Sequence, residues 1–562
     1  MTDAIAPGTA VDVVFAATIG QALEAGLTDP AVVITPDNNN WNDYGWLVYA
    51  NVGILRGGAH VQSGPIRLMF QGEVPTAQVL ARLFAAAGPV VRVEQSPTAF
   101  LTILPAPARY AGLVDLLGFD RAVLTLAKLN DAALALAVGP TEDQAAMLDS
   151  PAFWEGMLRA DEAYGSLRRG LRTVRRTAPL QVADSAASFS VRAMLPSAGH
   201  PHHLEFNFDA DTFDRNRIAV LIGRNGVGKT QLLRRIVEAQ KDAPGGADVV
   251  MNPQRPFGRV LVFSSVTSDP YPRAIPPWEG VDYEYFSMTA PTEYGGDALL
   301  QALAAIRRDN GDRIGPGQEF RRDLFRRTLA AFGLFNRLSL PLKPVRNDRN
   351  YPAEFIWDGK RYFPFDAPLR EQLELLLVGD IDWAGSAVVF SREGPRQLSS
   401  GETAILRFVA QVVASIDRGS LLLFDEPETH LHPNYVSDFM GVLQDLLGRT
   451  QSVAIIATHS AYVVREVPRE RVNVMTVDGD GRPNADAPRL QTFGASIDSI
   501  SQFVFNDGGV PHWHLQRLRE WVAGPGAGLT IEEIIERHGA ELNPETLSYI
   551  AELKRGEPGA PG

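Results

Sequence analysis

Four short apolar runs in the second half of the chain carry the strongest periodic signal. They are 218–222 (IAVLI), 259–263 (RVLVF), 421–424 (LLLF) and 453–457 (VAIIA). Each has the length and branching of a buried strand. Helical patterns separate them. Leu232, Leu233, Ile236 and Val237 share one helical face, and 403–416 reads as a strongly apolar helix. Strand and helix in alternation predict an α/β fold. Just upstream, 188–195 and 203–208 alternate like the two strands of a hairpin.

Elsewhere the pattern is weaker. Segments 11–15, 31–34, 46–55, 66–70 and 90–93 read as strands, 77–87 as a helix, and 110–173 as mainly helical. A separate α+β domain is expected over 1–180, with a linker near 177–185. Between 266 and 395 lie helices at 299–308 and 320–334 and a hairpin at 355–365 turning on Asp358-Gly359. That stretch is expected to be a helical insertion in an α/β domain spanning 181–505. The segment 506–562 is expected to hold short helices at 515–521, 531–537 and 544–554 and a disordered end.

Composition narrows the function classes. The 562 residues, 45% hydrophobic and 21% charged, are ordinary for a soluble multidomain chain. A formal net charge of −13 excludes a protein that coats nucleic acid through general basicity, though not a local basic groove. Cysteine is absent, so disulfides, thiolate metal sites and cysteine nucleophiles are excluded. That is compatible with a reducing cytoplasm, the expected location. The opening MTDAIAPGTAVDVVF lacks a basic run, so no signal peptide is expected, and no apolar run approaches bilayer-spanning length. No membrane association is expected.

The chemistry is concentrated at the ends of the apolar runs. The first feeds into Gly223-Arg224-Asn225-Gly226-Val227-Gly228-Lys229-Thr230. Glycine, four residues, glycine, lysine and threonine between a strand and a helix form a phosphate cradle. The glycines let backbone N–H groups turn inward, and the helix N-terminus adds partial positive charge. Gly223, Asn225, Gly226, Gly228, Lys229 and Thr230 are the expected nucleotide contacts. Lys229 would reach the β/γ-phosphates, and the Thr230 hydroxyl would ligate Mg²⁺. The run 421–424 ends in Asp425, placed to hold Mg²⁺ directly or through water, and Glu426, placed to orient and deprotonate an attacking water. The run 453–457 ends in Thr458-His459-Ser460, where His459 is placed to sense a γ-phosphate. Ser399-Ser400-Gly401-Glu402 opens the apolar helix at 403–416 as a second anion site.

Other clusters admit two readings. Arg168, Arg169, Arg172, Arg175 and Arg176, and in the insertion Arg307, Arg308, Arg321, Arg322, Arg326 and Arg327, fit either phosphate-backbone contacts or solvated and interdomain salt-bridge surfaces. His200, His202 and His203 fit a metal site or a surface loop. Asp478-Gly479-Asp480 fits the acidic pair of a nuclease or a turn after a strand at 472–477, and His512-Trp513-His514 looks too isolated for a nuclease centre.

Taken in order, Gly223–Thr230, LSSGE, LLLFDEPETHLHP and ATHS resemble the Walker A, signature, Walker B and switch-histidine motifs of ABC-type ATPases. DEPETHLHP is similar to the non-transporter branch, which includes the RecF, SMC and OLD-like ATPases. The resemblance covers about 187–505, apart from the insertion. It implies an ABC-type P-loop ATPase head with ATP and Mg²⁺ as cofactors. It also implies a homodimer or higher oligomer of heads around sandwiched ATP, with Ser399, Ser400 and Gly401 acting in trans on the γ-phosphate. Short OLD-like ATPases without a nuclease domain resemble those of bacterial anti-phage systems such as Septu. The implied partner is then a separate effector protein, which could be a nuclease, and the implied role an ATP-driven switch on DNA or protein. A RecF-like DNA-repair clamp is the alternative. One departure stands out: ABC ATPases carry a glutamine where this chain has Phe263-Ser264-Ser265, leaving Ser265 as a substitute candidate.

Overall fold

The computed structural model describes residues 10–37, 45–72, 75–174, 188–196, 198–208, 217–224, 226–241, 248–254, 257–266, 268–275, 280–288, 297–308, 313–314, 317, 319–330, 337–344, 350–391, 393–431, 433–477, 482–503 and 513–555. The four apolar runs are adjacent strands of one sheet. Across that seven-stranded sheet the order is Asp282–Ser287, Arg259–Ser264, Leu421–Asp425, Val453–Thr458, Ile218–Gly223, Val472–Val477 and Pro483–Asp486. All neighbours are parallel except the last pair. Every residue of the four central strands is buried, as unbroken apolar runs require.

Alternate side chains feed two cores. Ile218, Val220, Ile222, Phe263 and Phe424 face a core that includes the inward residues of helices Ser400–Ser415 and Pro433–Thr450. Ala219, Leu221, Val262 and Leu423 face helix Lys229–Ala239 and the sheet formed by Val249–Asn252, Phe189–Ala193 and His202–Phe206. The expected hairpin is the antiparallel pair in that sheet. His202 lies in its strand and is buried rather than on a surface loop. Among the described residues both its ring nitrogens lack hydrogen-bond partners, and burial lowers its pKa. No group of three or more metal-binding side chains occurs among the described residues, so the histidines form no metal site there.

The insertion is not simply helical. Its helices form at Ala298–Arg308 and Arg321–Leu329, and the expected continuation of the second over 331–334 lies outside the described residues. The hairpin also forms, with Asp358 and Gly359 at positive φ in its turn. Two corrections follow from strands that pattern reading missed. Asp282–Ser287 is an edge strand of the central sheet, and a five-stranded antiparallel sheet runs Phe355–Trp357, Lys360–Pro364, Leu338–Leu342, Val388–Ser391 and Gly394–Gln397. Pro341 interrupts the reading of one, and the others are too short for a clear period.

The N-terminal region holds a six-stranded sheet in the order Val90–Arg92, Asp12–Ala16, Ala31–Pro36, Tyr49–Arg56, Ala59–Phe70 and Phe100–Ile103. One core is its own. Met69, Leu101 and Ile103 instead join the large core shared with the insertion. Trp154 and Trp383 pack at 6.0 Å across the same contact. The N-terminal region therefore packs on the rest of the chain, and the expected linker near 177–185 lies outside the described residues. At the other end, helices Trp513–Ala523, Ile531–His538 and Pro544–Arg555 match the expected ones closely.

Candidate functional site

The parallel strands bring their carboxyl ends to one edge. Ser264 pairs with Asp425, Asp425 with Ala457, and Thr458 with Ile222, which precedes Gly223. Ligand sites of open α/β sheets form at this edge. Gly223 packs tightly, since a Cβ there would lie 2.6 Å from the Met475 carbonyl oxygen. Gly226 turns the loop at φ 83°. Gly228 caps the helix at φ 100°, where a Cβ would also strike Leu195 at 2.5 Å. Asn225 lies outside the described residues.

Lys229 is buried inside this loop. Its Nζ donates to the Gly223 carbonyl at 2.8 Å, with the Arg224 carbonyl at 3.5 Å. Burial lowers its pKa, while Glu426, Asp425 and Glu428 favour its charged form. Thr230 donates its hydroxyl to Asp425 Oδ1 at 3.1 Å, across 195 residues of sequence. Burial pushes Asp425 up to about 6, against hydrogen bonds from Thr230 and Tyr271 that favour its carboxylate. A buried carboxylate beside a hydroxyl is a hard-oxygen pair suited to Mg²⁺.

Glu426 takes a left-handed backbone, φ 52° and ψ 50°, unusual for a residue with a side chain. Its N–H donates to the Ala457 carbonyl at 2.8 Å, tying the turn to the neighbouring strand. His459 Nδ1 lies 3.5 Å from Glu426 Oε1 and 3.7 Å from Glu428 Oε1. Glu428, a residue the motif reading left without a role, accepts from the Thr458 hydroxyl and from the His459 N–H at 3.2 Å. It thereby holds the strand end that presents His459.

The signature residues are divided in use. The Ser399 hydroxyl caps helix Ser400–Ser415 by accepting from the Glu402 N–H at 3.3 Å, and Glu402 returns the contact to the Ser399 N–H at 2.8 Å. Arg396 grips Glu402 at 2.7 and 2.8 Å and holds its pKa down at about 2. At Gly401 a Cβ would lie 2.5 Å from the Tyr435 ring, so glycine is needed for this close approach. Ser400 is exposed and makes no hydrogen bond among the described residues. It borders a cavity of about 280 Å³ with Thr403, Arg407 and Leu431. Within the described residues, these three positions make no polar contact with the phosphate loop of their own chain.

Two other expectations resolve. Ser265 donates its backbone N–H to the Asp425 carbonyl at 3.1 Å, while its hydroxyl turns to Met288 Sδ at 3.5 Å. Tyr271, in no motif, donates to Asp425 Oδ2 at 3.1 Å. Eight of the arginines read as candidate DNA contacts face carboxylates, with Arg307, Arg308 and Arg321 buried and Arg326 and Arg327 exposed. Arg172 meets Asp417 at 2.9 Å and Asp282 at 3.5 Å. Arg308 meets Asp161 at 3.0 Å, and Arg321 meets Asp417 at 2.8 Å. Arg307 pairs with Glu374 at 2.6 Å, Arg326 with Asp323 at 2.6 Å and Arg327 with Glu319 at 2.7 Å. Arg168 and Arg322 also face carboxylates, Glu284 and Asp366. Arg175, Arg176, Asp478, Asp480 and His512 lie outside the described residues.

Comparison with known proteins agrees with this site in part. Residues 335–465 match the AAA_21 family, "AAA domain, putative AbiEii toxin, Type IV TA system". The matched stretch contains Ser399–Gly401, Asp425, Glu426 and His459 but not the phosphate loop. Protein ea59 of Escherichia phage lambda is 26% identical over 330 residues, 54% of this chain and 56% of the phage protein. The chain thus spans about half the length of this curated relative. Among solved structures, the SMC head domain from Thermotoga maritima aligns at TM-score 0.27 and 12% identity, over 54% of this chain and 100% of that one. The cbiO1 protein of Clostridium perfringens, part of the ABC transporter complex cbiONQ, aligns at 0.27 and 14%, over 62% and 96%. No described helix is long and apolar enough to cross a membrane.

Proposed function

We propose that this chain binds ATP with Mg²⁺ and hydrolyses it at a site completed by a second copy of the chain. The observation that carries the reading is the meeting of Thr230 and Asp425 at 3.1 Å, beside the buried Lys229, at one sheet edge. The loop N–H groups and Lys229 bind and neutralise the phosphates. Thr230 and Asp425 would hold Mg²⁺, which supplies charge neutralisation of the phosphate oxygens. Glu426 accepts the proton of the attacking water, and His459, 3.5 Å away, is placed to orient that exchange. Ser400, exposed and with its hydroxyl making no hydrogen bond among the described residues, is suited to a γ-phosphate bound by the partner copy. ATP would then close the pair of heads and hydrolysis would release them.

Such a cycle is a switch for another molecule. Burial of Arg307, Arg308 and Arg321 against carboxylates and carbonyls weakens the case for a DNA groove there and favours a protein partner. We read the biological context as bacterial anti-phage defence with a separate effector, on the strength of the motif resemblance. The test is calorimetric titration of ATP. Lys229→Ala should abolish binding, and an unchanged affinity would defeat the phosphate-loop assignment.

A further inference from the structure

Tyr271 lies in the loop after Arg259–Ser264, with its ring 4% exposed. Its hydroxyl is 3.1 Å from Asp425 Oδ2 and 3.5 Å from the Thr230 carbonyl oxygen. Thr230 donates to the other oxygen, Oδ1, at 3.1 Å. Each oxygen of Asp425 therefore receives a hydrogen bond from a different part of the chain. A terminal carboxylate torsion is soft, and two directed donors fix it where one would leave it free to turn. Burial and the neighbouring Asp425 raise the pKa of the phenol, which keeps it a donor.

The loop that carries Tyr271 is braced as well. The side chain of Asp269 is fully buried, accepts from the Tyr271 N–H at 3.2 Å, and accepts from the Tyr285 hydroxyl at 2.6 Å. Arg273 lies 3.2 Å from the same carboxylate and stacks over the Tyr285 ring at 4.3 Å. Tyr283 donates its hydroxyl to the Pro272 carbonyl at 2.8 Å. Two tyrosines on one face of the edge strand thus hold the segment on either side of Tyr271. Phenylalanine would fill the same space at position 271, so the hydroxyl is the part of this side chain that packing does not explain.

We propose that Tyr271 is a positioning residue for the carboxylate that holds Mg²⁺, fixing the orientation of Asp425 through its second oxygen. The proposal rests on the reading of Asp425 as a Mg²⁺ ligand. Groups that orient a metal ligand typically change metal affinity by 10–100-fold when removed. The experiment uses the full chain and a fluorescent ATP analogue, with binding followed as Mg²⁺ is titrated in. Tyr271→Phe should raise the Mg²⁺ concentration at half-effect by about tenfold. Nucleotide affinity without Mg²⁺ and the melting temperature of the free protein should stay at wild-type values. A wild-type Mg²⁺ midpoint in Tyr271→Phe would overturn the proposal. If Tyr271→Phe melts well below the wild type, Tyr285→Phe carries the test, because it loosens Asp269 without touching Asp425. It should shift the midpoint in the same direction by less, and an unshifted midpoint there would also overturn the proposal. Failure of the underlying reading looks different: Asp425→Asn would then leave the Mg²⁺ midpoint of nucleotide binding at the wild-type value.

Discussion

Glu426 is held in a left-handed turn by its N–H bond to the Ala457 carbonyl, with His459 at 3.5 Å. Backbone in that region costs about 1–3 kcal/mol and persists where the surroundings impose it. Here two adjacent strand ends impose it, which suits a side chain that must project from the sheet edge. Glu426→Gln keeps the shape and removes the base. It should bind ATP normally and lose roughly two to three decades of turnover in a phosphate-release assay. Turnover at the wild-type rate would remove Glu426 from the mechanism. Motif spacing is sufficient to pick out Lys229, Thr230, Asp425, Glu426 and His459, which the fold brings to one sheet edge, because they sit at fixed offsets from apolar strands. Tyr271 and Glu428 were not legible, because their roles come from contacts rather than spacing. Tyr271 reaches Asp425 across 154 residues, and Glu428 reaches Thr458 across 30.

The central strands were legible because a strand covered on both faces has no polar positions to break the run. The edge strand Asp282–Ser287, DYEYFS, was not, because its charges are used inside the molecule. Asp282 and Glu284 pair with Arg259, while Phe286 stacks on Phe263 at 4.7 Å. Phe263 in turn stacks on Phe424 at 4.9 Å, one residue before Asp425. This ladder joins three adjacent strands directly beneath the site. Phe263→Ala should cost about 3–5 kcal/mol in denaturant unfolding. A loss below about 1 kcal/mol would mean that the ring is not a packed element of the core.

At the scale of the molecule, one acid network joins the N-terminal region to the central seven-stranded sheet. Asp417, just past the signature helix, meets Arg172 at 2.9 Å, Arg321 at 2.8 Å and Arg259 at 3.9 Å. Burial pushes its pKa up, but Arg172, Arg321 and Arg259 outweigh that and hold it well below 3.8. A depressed carboxylate binds fewer protons in the folded state than in the unfolded one. Its stabilisation is therefore complete above 3.8 and is lost as the pH falls below it. Thermal melts from neutral to acid pH should show a decline in that window which Asp417→Asn flattens, and identical profiles would exclude the network as its source. Among the described residues, Ser400 is exposed and makes no polar contact with its own phosphate loop. The central claim, a site shared by two copies, is tested most directly by mixing a Lys229→Ala chain with a Ser400→Arg chain, each inactive alone. In a mixed pair, one site joins an intact loop to an intact signature. Random pairing predicts recovery of about a quarter of wild-type ATP turnover. If the mixture stays as inactive as its components while both chains remain folded, the site is not shared in this way.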